Sequence, residues 1–337
     1  MLPPVICIGG ILTKGAKAAR LILFLLAGAL LTYYLLARSG SVSETVNSIF
    51  SALASCSIQW LLLSLLLFFL SLLIRAWRWQ LLAGDHTIPV VRSMSLTAVH
   101  VGLGHLLPVR LADVALVGLF RKYAAIPAGS GAATVMLAKI MDIIAMGTVV
   151  ALSFLTGLSG PVVAIASGIA VTGTAMLFFL PFMLKLVAVP LKAVTGEGRV
   201  SKALNDMTEA ARLTPENRKP LFLAVAASFA GWTLKLFMFL TLLRSVGVHS
   251  IPLWQVFTAG AVTDFILALP VHGLLSLGTV EAGWVAGFAL TGITGTLSGG
   301  ISVVEAGFSV HLLWLFMAVL LMSAGTLVLL FYGKDLY

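Results

Sequence analysis

Ionisable side chains stand inside stretches of this chain that are otherwise apolar enough for a bilayer. They are Arg110, Asp113, Lys139, Asp142, Lys235, Asp264 and Glu281, with His100, His105, His272, His311 and, at the edge of one stretch, Glu305. A charge at a bilayer centre costs about 2.5–3.5 kcal/mol on insertion scales, so such residues face a protein interior or a wet cavity and mark pathways. Their types suit binding more than bond-breaking: a guanidinium grips phosphate in a two-pronged fork, and carboxylates balance charge, hold cations or carry protons. Lys139 and Asp142 lie three apart and can meet on one helix face, either as a self-neutralising pair or as part of a substrate path.

A phrase that occurs twice points to where these groups act. Leu106-Leu107-Pro108-Val109-Arg110 is followed by Asp113, and Ala268-Leu269-Pro270-Val271-His272 is followed by Glu281. Each copy puts a helix-breaking proline, a basic or titratable residue and a carboxylate in an apolar segment. Broken helices persist in membranes only where protein buries them or where they line a cavity, and paired breaks in two halves of a chain point to a transporter site. Arg110 is read as a phosphate ligand in preference to a partner of Asp113 or of carbonyls at the break. Glu281 is either a helix N-terminal charge or a headgroup-binding, proton-titrating carboxylate. His105 and His272 flank the prolines and are read first as hydrogen-bonders, with proton coupling as the alternative.

The elements that must position these groups are helices. A span needs about 20 apolar residues, and six segments qualify: 21–36, 58–82, 132–155, 162–186, 221–243 and 310–331. Residues 42–53 form a weakly amphipathic stretch suited to an interfacial helix. Two regions are broken instead. Residues 94–105 and 111–120 are each about a dozen long, roughly 15–18 Å of helix, and 253–269 with 278–290 make a second pair. The expected fold is therefore an all-α polytopic membrane protein with about six full spans and two oppositely oriented re-entrant hairpins. These fill one transmembrane domain, 1–337, as an inverted repeat: a first repeat over about 58–157 with hairpin 93–121, a loop over about 188–219, and a second repeat over about 220–333 with hairpin 252–292.

Charge gives the orientation. The net charge of +9 is concentrated at Lys14, Lys17 and Arg20, at Arg121 and Lys122, and along the loop from Lys185 to Lys219. With the N-terminus inside, that loop lands in the cytoplasm and only Arg38 and Arg244 among loop basic residues fall outside, as the positive-inside rule requires. Both termini are thus expected in the cytoplasm, in a bacterial inner membrane, and a nucleic-acid partner is not expected. Arg75, Arg78 and Trp79 in Arg75-Ala76-Trp77-Arg78-Trp79 read as an anchoring belt at the lipid interface, which would also suit a lipid-phosphate entrance.

Composition excludes much else. With 60% hydrophobic and 10% charged residues, against about 25% charged in soluble domains, no polar stretch is long enough for a soluble catalytic domain. Cys7 and Cys56 match no metal or redox spacing. The sequence holds no Gly-rich loop ending in Gly-Lys-Ser/Thr, no His-Glu-x-x-His and no Gly-x-Ser-x-Gly. No cofactor, no metal and no enzymatic activity are expected.

The motifs resemble the transmembrane region of lysylphosphatidylglycerol synthases, a region also found as stand-alone membrane proteins. The resemblance is carried by Arg75 to Trp79 for an Arg-x-x-Arg-Trp span end, and by His105 to Asp113 for an Asn-x-x-Pro-x-Arg-x-Gly-Glu hairpin. Ala138 to Asp142 stands for Glu-Arg-x-x-Asp, and His272 to Glu281 for a Pro-Gly-Gly-Leu-Gly-x-x-Glu turn. It implies a lipid flippase acting on phospholipid or on polyprenyl or hopanoid-type lipid. An aminoacyl-transferase domain is not seen in the 337 residues, so synthesis of the lysyl lipid is not expected of this chain. The alternatives are a membrane enzyme acting on a lipid headgroup, with Glu281 or Asp113 as base, and a scaffold for a partner lipid-synthesising enzyme; a homo-oligomer is compatible with each.

Overall fold

Apolar stretches in a bilayer must satisfy their own backbone hydrogen bonds, and this chain does so with helices. The computed structural model describes residues 14–83, 87–107, 111–152, 218–268 and 274–332, with isolated positions between 167 and 182. They form ten helices: α1 (Lys14–Ser39), α2 (Val42–Ala54), α3 (Ile58–Leu82), α4 (Val90–Leu106), α5 (Leu111–Ala124), α6 (Ala128–Leu152), α7 (Arg218–Ser245), α8 (Leu253–Ala268), α9 (Thr279–Leu290) and α10 (Val303–Tyr332). A 3₁₀ turn, Leu274–Ser276, precedes α9. Among the described residues there is no β-strand.

Four of these helices, α3, α6, α7 and α10, are long and apolar enough to cross a membrane. They correspond to four of the six expected spans. The expected first span lies within α1, and α2 follows it at a bend of 89°. The expected span 162–186 and the loop 188–219 lie outside the described residues, apart from isolated positions. Helix α10 starts at Val303, seven residues before its predicted start at Val310. The cause is a capping box: Ser302 N donates to Glu305 Oε2 (2.8 Å) and Glu305 N donates to Ser302 Oγ (3.2 Å). Glu305 is therefore a helix-start residue.

The first broken pair also differs in length from expectation. Helix α4 has 17 residues, about 25 Å at 1.5 Å per residue, so it is longer than the half-span predicted over 94–105. Pro89 at its N-cap fixes a φ of −56° that leads into the helix. Ser93 Oγ then donates to Ala76 O (2.6 Å), which ties the added turn to α3. Helices α8 and α9 lie close to their predicted bounds. Gly278, at φ +78°, starts α9, and a Cβ there would meet Gly28 O of α1 at 2.9 Å; glycine alone suits both the dihedral and the space.

Lipid offers no hydrophobic drive for helices to associate, so close approach and polar contacts must hold them. Helix α3 lies along α7, with Ser64 Oγ donating to Thr241 Oγ1 (2.8 Å) and Ser71 Oγ to Gly231 O (3.1 Å). Helix α4 packs on α10, and α8 packs on both α9 and α6. The α8–α9 contact is a small-residue seam. A Cβ on Gly283 would lie 2.7 Å from Thr263 Cα, and one on Gly287 2.5 Å from Ala259 Cα.

That seam makes a direct prediction. Gly287→Leu should destabilise the protein by at least the ~1–3 kcal/mol of an overpacked core, read as a lower thermal midpoint in detergent. Gly118→Ala, where nothing lies within 4 Å of an added Cβ, should leave the midpoint equal or raise it, since Ala is favoured over Gly in a helix by about 1 kcal/mol.

Candidate functional site

The helix ends that flank the two breaks line one cavity of about 240 Å³. The end of α4 supplies Gly104, His105 and Leu107, and the start of α5 supplies Ala112 and Asp113. The last turns of α8 supply Asp264 and Leu267, and the turn before α9 supplies Ser276. Arg75 of α3, Lys139 and Asp142 of α6, Trp232 and Lys235 of α7 and Trp314 of α10 close the walls. Ser276 and its neighbour Leu275 both sit at φ +56°, a backbone state that costs a non-glycine residue of order 1–3 kcal/mol and persists where surroundings impose it.

Among the described residues, three pairs of a Lys or Arg with a carboxylate organise the walls, and each joins two helices. Arg78 of α3 grips Asp142 of α6, with Nη1 donating to Oδ1 (2.5 Å) and Nη2 to Oδ2 (3.4 Å). Ser228 Oγ also accepts from Arg78 Nη1 (2.8 Å), and Trp232 Nε1 donates to Asp142 Oδ1 (2.8 Å). Lys139 Nζ of α6 lies 3.0 Å from Asp113 Oδ1 of α5, which His100 Nε2 of α4 also approaches at 2.9 Å. Lys235 Nζ of α7 donates to Asp264 Oδ1 of α8 (2.6 Å). The same ammonium sits in an aromatic box, 4.3 Å from the ring centre of Trp314, 4.8 Å from Trp232 and 5.4 Å from Phe239. Such contacts stabilise a desolvated cation by up to about 2 kcal/mol.

Of the residues singled out in the sequence, Asp113, Lys139, Asp142, Lys235, Asp264 and His105 come together on this cavity. Arg110 and His272 lie outside the described residues. Glu281 is fully buried away from the cavity, where its Oε1 is 2.6 Å from Nδ1 of the equally buried His311 of α10. His105 joins the two regions, with its ring edge-on to Trp314 at 4.1 Å and 6.3 Å from the His311 ring.

Two expectations are corrected. Lys139 and Asp142 share a helix face, but their charges reach across to α5 and α3, where each neutralises a group of opposite sign and joins two helices. Arg78 and Trp79 do not anchor at the lipid interface, since each is only 2% exposed. The spacing of Arg75, Arg78 and Trp79 is i, i+3, i+4, one helical face, and here that face turns inward while Trp77 takes the outer side at 44% exposure. The spacing was the signal for it. Trp232, a helical turn before Lys235, and Ser276 were not anticipated. Among the described residues, no three His, Cys, Asp or Glu side chains converge as a metal site.

Long apolar helices around a cavity lined by paired charges define a polytopic α-helical membrane protein with a polar cavity among its helices. Residues 18–319 match the family model described as the lysylphosphatidylglycerol synthase TM region, and the chain belongs to that family. Comparison with curated proteins and with solved structures gives no match. The family's subject is a membrane lipid and its headgroup, and the site is a polar one set among lipid-facing helices.

Breaking one member of a buried pair strands its partner, at a cost of about 3–5 kcal/mol, whereas replacing both by apolar residues is often neutral. Asp142→Leu alone should therefore give aggregated or strongly destabilised protein on size-exclusion chromatography. Arg78→Met combined with Asp142→Leu should recover a monodisperse peak.

Proposed function

We propose that this protein is a lipid flippase or transporter, moving the headgroup of a phospholipid or polyprenyl-type lipid between leaflets while the acyl chains stay in the bilayer. The observation that carries this reading is the cavity of paired charges where the two broken helix pairs meet. A polar seam at such depth lowers the barrier that a headgroup otherwise meets in hydrocarbon, where each unsatisfied polar group costs several kcal/mol.

On this reading, α4–α5 and α8–α9 are re-entrant hairpins entering from opposite faces, and the chain is an inverted repeat. Two contacts support the repeat: α4 of the first half packs on α10, the last span of the second, and α8 of the second half packs on α6, the last described span of the first. The positive-inside distribution supports cytoplasmic termini in an inner membrane. Ion pairs then act as exchangeable partners. An incoming phosphate competes for Lys139 or Lys235, and a cationic or hydroxyl group competes for Asp113 or Asp264.

Purified full-length protein in liposomes tests this. Fluorescent phospholipid should equilibrate between leaflets unchanged, measured by chemical quenching of the outer leaflet. Lys139→Ala and Asp264→Asn should each slow that rate roughly ten- to a hundredfold, the equivalent of losing one charged hydrogen bond of about 1.5–3 kcal/mol. Turnover of the headgroup in place of movement would favour a lipid-modifying enzyme, and neither outcome with any lipid would favour a scaffold.

A further inference from the structure

Among the described residues, the charges around the cavity do not cancel. Arg75, Arg78, Lys139 and Lys235 stand against Asp113, Asp142 and Asp264, and the three carboxylates are matched by Lys139, Arg78 and Lys235. Arg75 is left over. Among the described residues it has no carboxylate within ion-pair distance, and its buried Nε has no acceptor. Its guanidinium is held instead over the Trp232 ring, 5.0 Å from the centre, and Trp232 is itself fixed by its hydrogen bond to Asp142. Stacking orients a guanidinium while leaving its in-plane N–H donors free, which is the arrangement suited to a two-pronged grip on phosphate. Asp142 and Asp264 are near enough to act on it through space, but each is already paired to another cation; an anionic ligand would lower the cost that remains for a cation in a membrane interior.

The cavity also offers acceptors. Asp264 Oδ2 and Ser276 Oγ are buried without a hydrogen-bond partner among the described residues, and both side chains line the cavity. Asp264 gives its other oxygen to Lys235. An unpartnered carboxylate oxygen and an unpartnered hydroxyl on one cavity can accept hydrogen bonds from hydroxyl groups. The volume, about 240 Å³, lies just below the roughly 300–1,000 Å³ of drug-sized ligand sites, enough for a headgroup and not for acyl chains.

We infer that Arg75 is the anion anchor of this cavity, and that the headgroup it accepts is a net-negative phosphodiester bearing hydroxyl groups. The inference rests on the lipid-translocation reading and narrows it. The excess positive charge disfavours a zwitterionic headgroup. It disfavours more strongly a lysyl ester, whose two ammonium groups outweigh its one phosphate, so the lipid for which the family is named is not the one this cavity fits best.

The test uses the full chain in phosphatidylcholine liposomes with trace fluorescent phosphatidylglycerol, phosphatidylethanolamine or lysylphosphatidylglycerol. Phosphatidylglycerol should equilibrate at least about tenfold faster than the other two, the equivalent of one discriminating interaction near 1.4 kcal/mol. Arg75→Gln should remove that preference, and Arg75→Lys, which keeps the charge and loses the fork, should keep part of it. Equal rates for all three lipids would overturn the headgroup assignment and leave translocation standing. If no lipid moves, translocation itself fails, and native mass spectrometry then decides on the anchor. Wild type should retain phosphatidylglycerol over lysylphosphatidylglycerol, and monodisperse Arg75→Gln should lose that preference. Equal retention by both proteins would overturn the role of Arg75. Binding of free glycerol 3-phosphate in place of lipid would overturn a lipid source for the phosphate.

Discussion

A charge in the middle of a bilayer is drawn to its opposite, and three cations of this protein meet a carboxylate on a different helix each time. Arg78–Asp142 joins α3 to α6, Lys139–Asp113 joins α6 to α5, and Lys235–Asp264 joins α7 to α8. Coulombic attraction is long-ranged in a low dielectric, while the hydrogen-bond geometry is short-ranged. Together they specify register as well as proximity. A slip of α6 by one turn, about 5.4 Å, would separate Asp142 from Arg78 and Lys139 from Asp113 at once. Packing against lipid-like side chains alone would resist such a slip far less.

The aromatic residues link these pairs into one unit. Trp232 donates to Asp142 and lies under both Arg75 and Lys235. Trp314 contacts both Lys235 and His105. Two tryptophans thus connect charges carried by α3, α6 and α7 to the tip of α4. The polar seam is accordingly not a row of independent pairs, and a change at one pair is felt through the shared rings at the next.

Much of this was legible in the sequence because membrane depth makes charge conspicuous. Asp113, Lys139, Asp142, Lys235 and Asp264 stood out against apolar surroundings, and the doubled Leu-Pro-Val phrase marked the breaks that bring them together. Partner choice was not legible. Lys139 and Asp142 have the spacing of a pair, yet which of several helices carries the better partner is a property of tertiary arrangement. Arg75, Arg78 and Trp79 were misread for another reason: an Arg-Trp cluster near a span end has the composition of an interfacial belt whichever way its face points. Only the periodicity within the motif distinguishes inward from outward. Helix starts were missed where local chemistry overrides hydropathy, as with the Ser302–Glu305 capping box and Pro89.

The glycine seam between α8 and α9 has a mechanical consequence. Backbones that touch at Gly283 against Thr263 and at Gly287 against Ala259 leave no room for one helix to slide or roll on the other. The two must travel together as a stiff beam. Any rearrangement that alters the cavity from this side is therefore a pivot of the whole beam about its far end, at Leu253 and Leu290. The Asp264 carboxylate, near the inner end of that beam, would sweep the greatest arc, so a small rotation far from the cavity becomes a large change in the distance between Asp264 and Lys235.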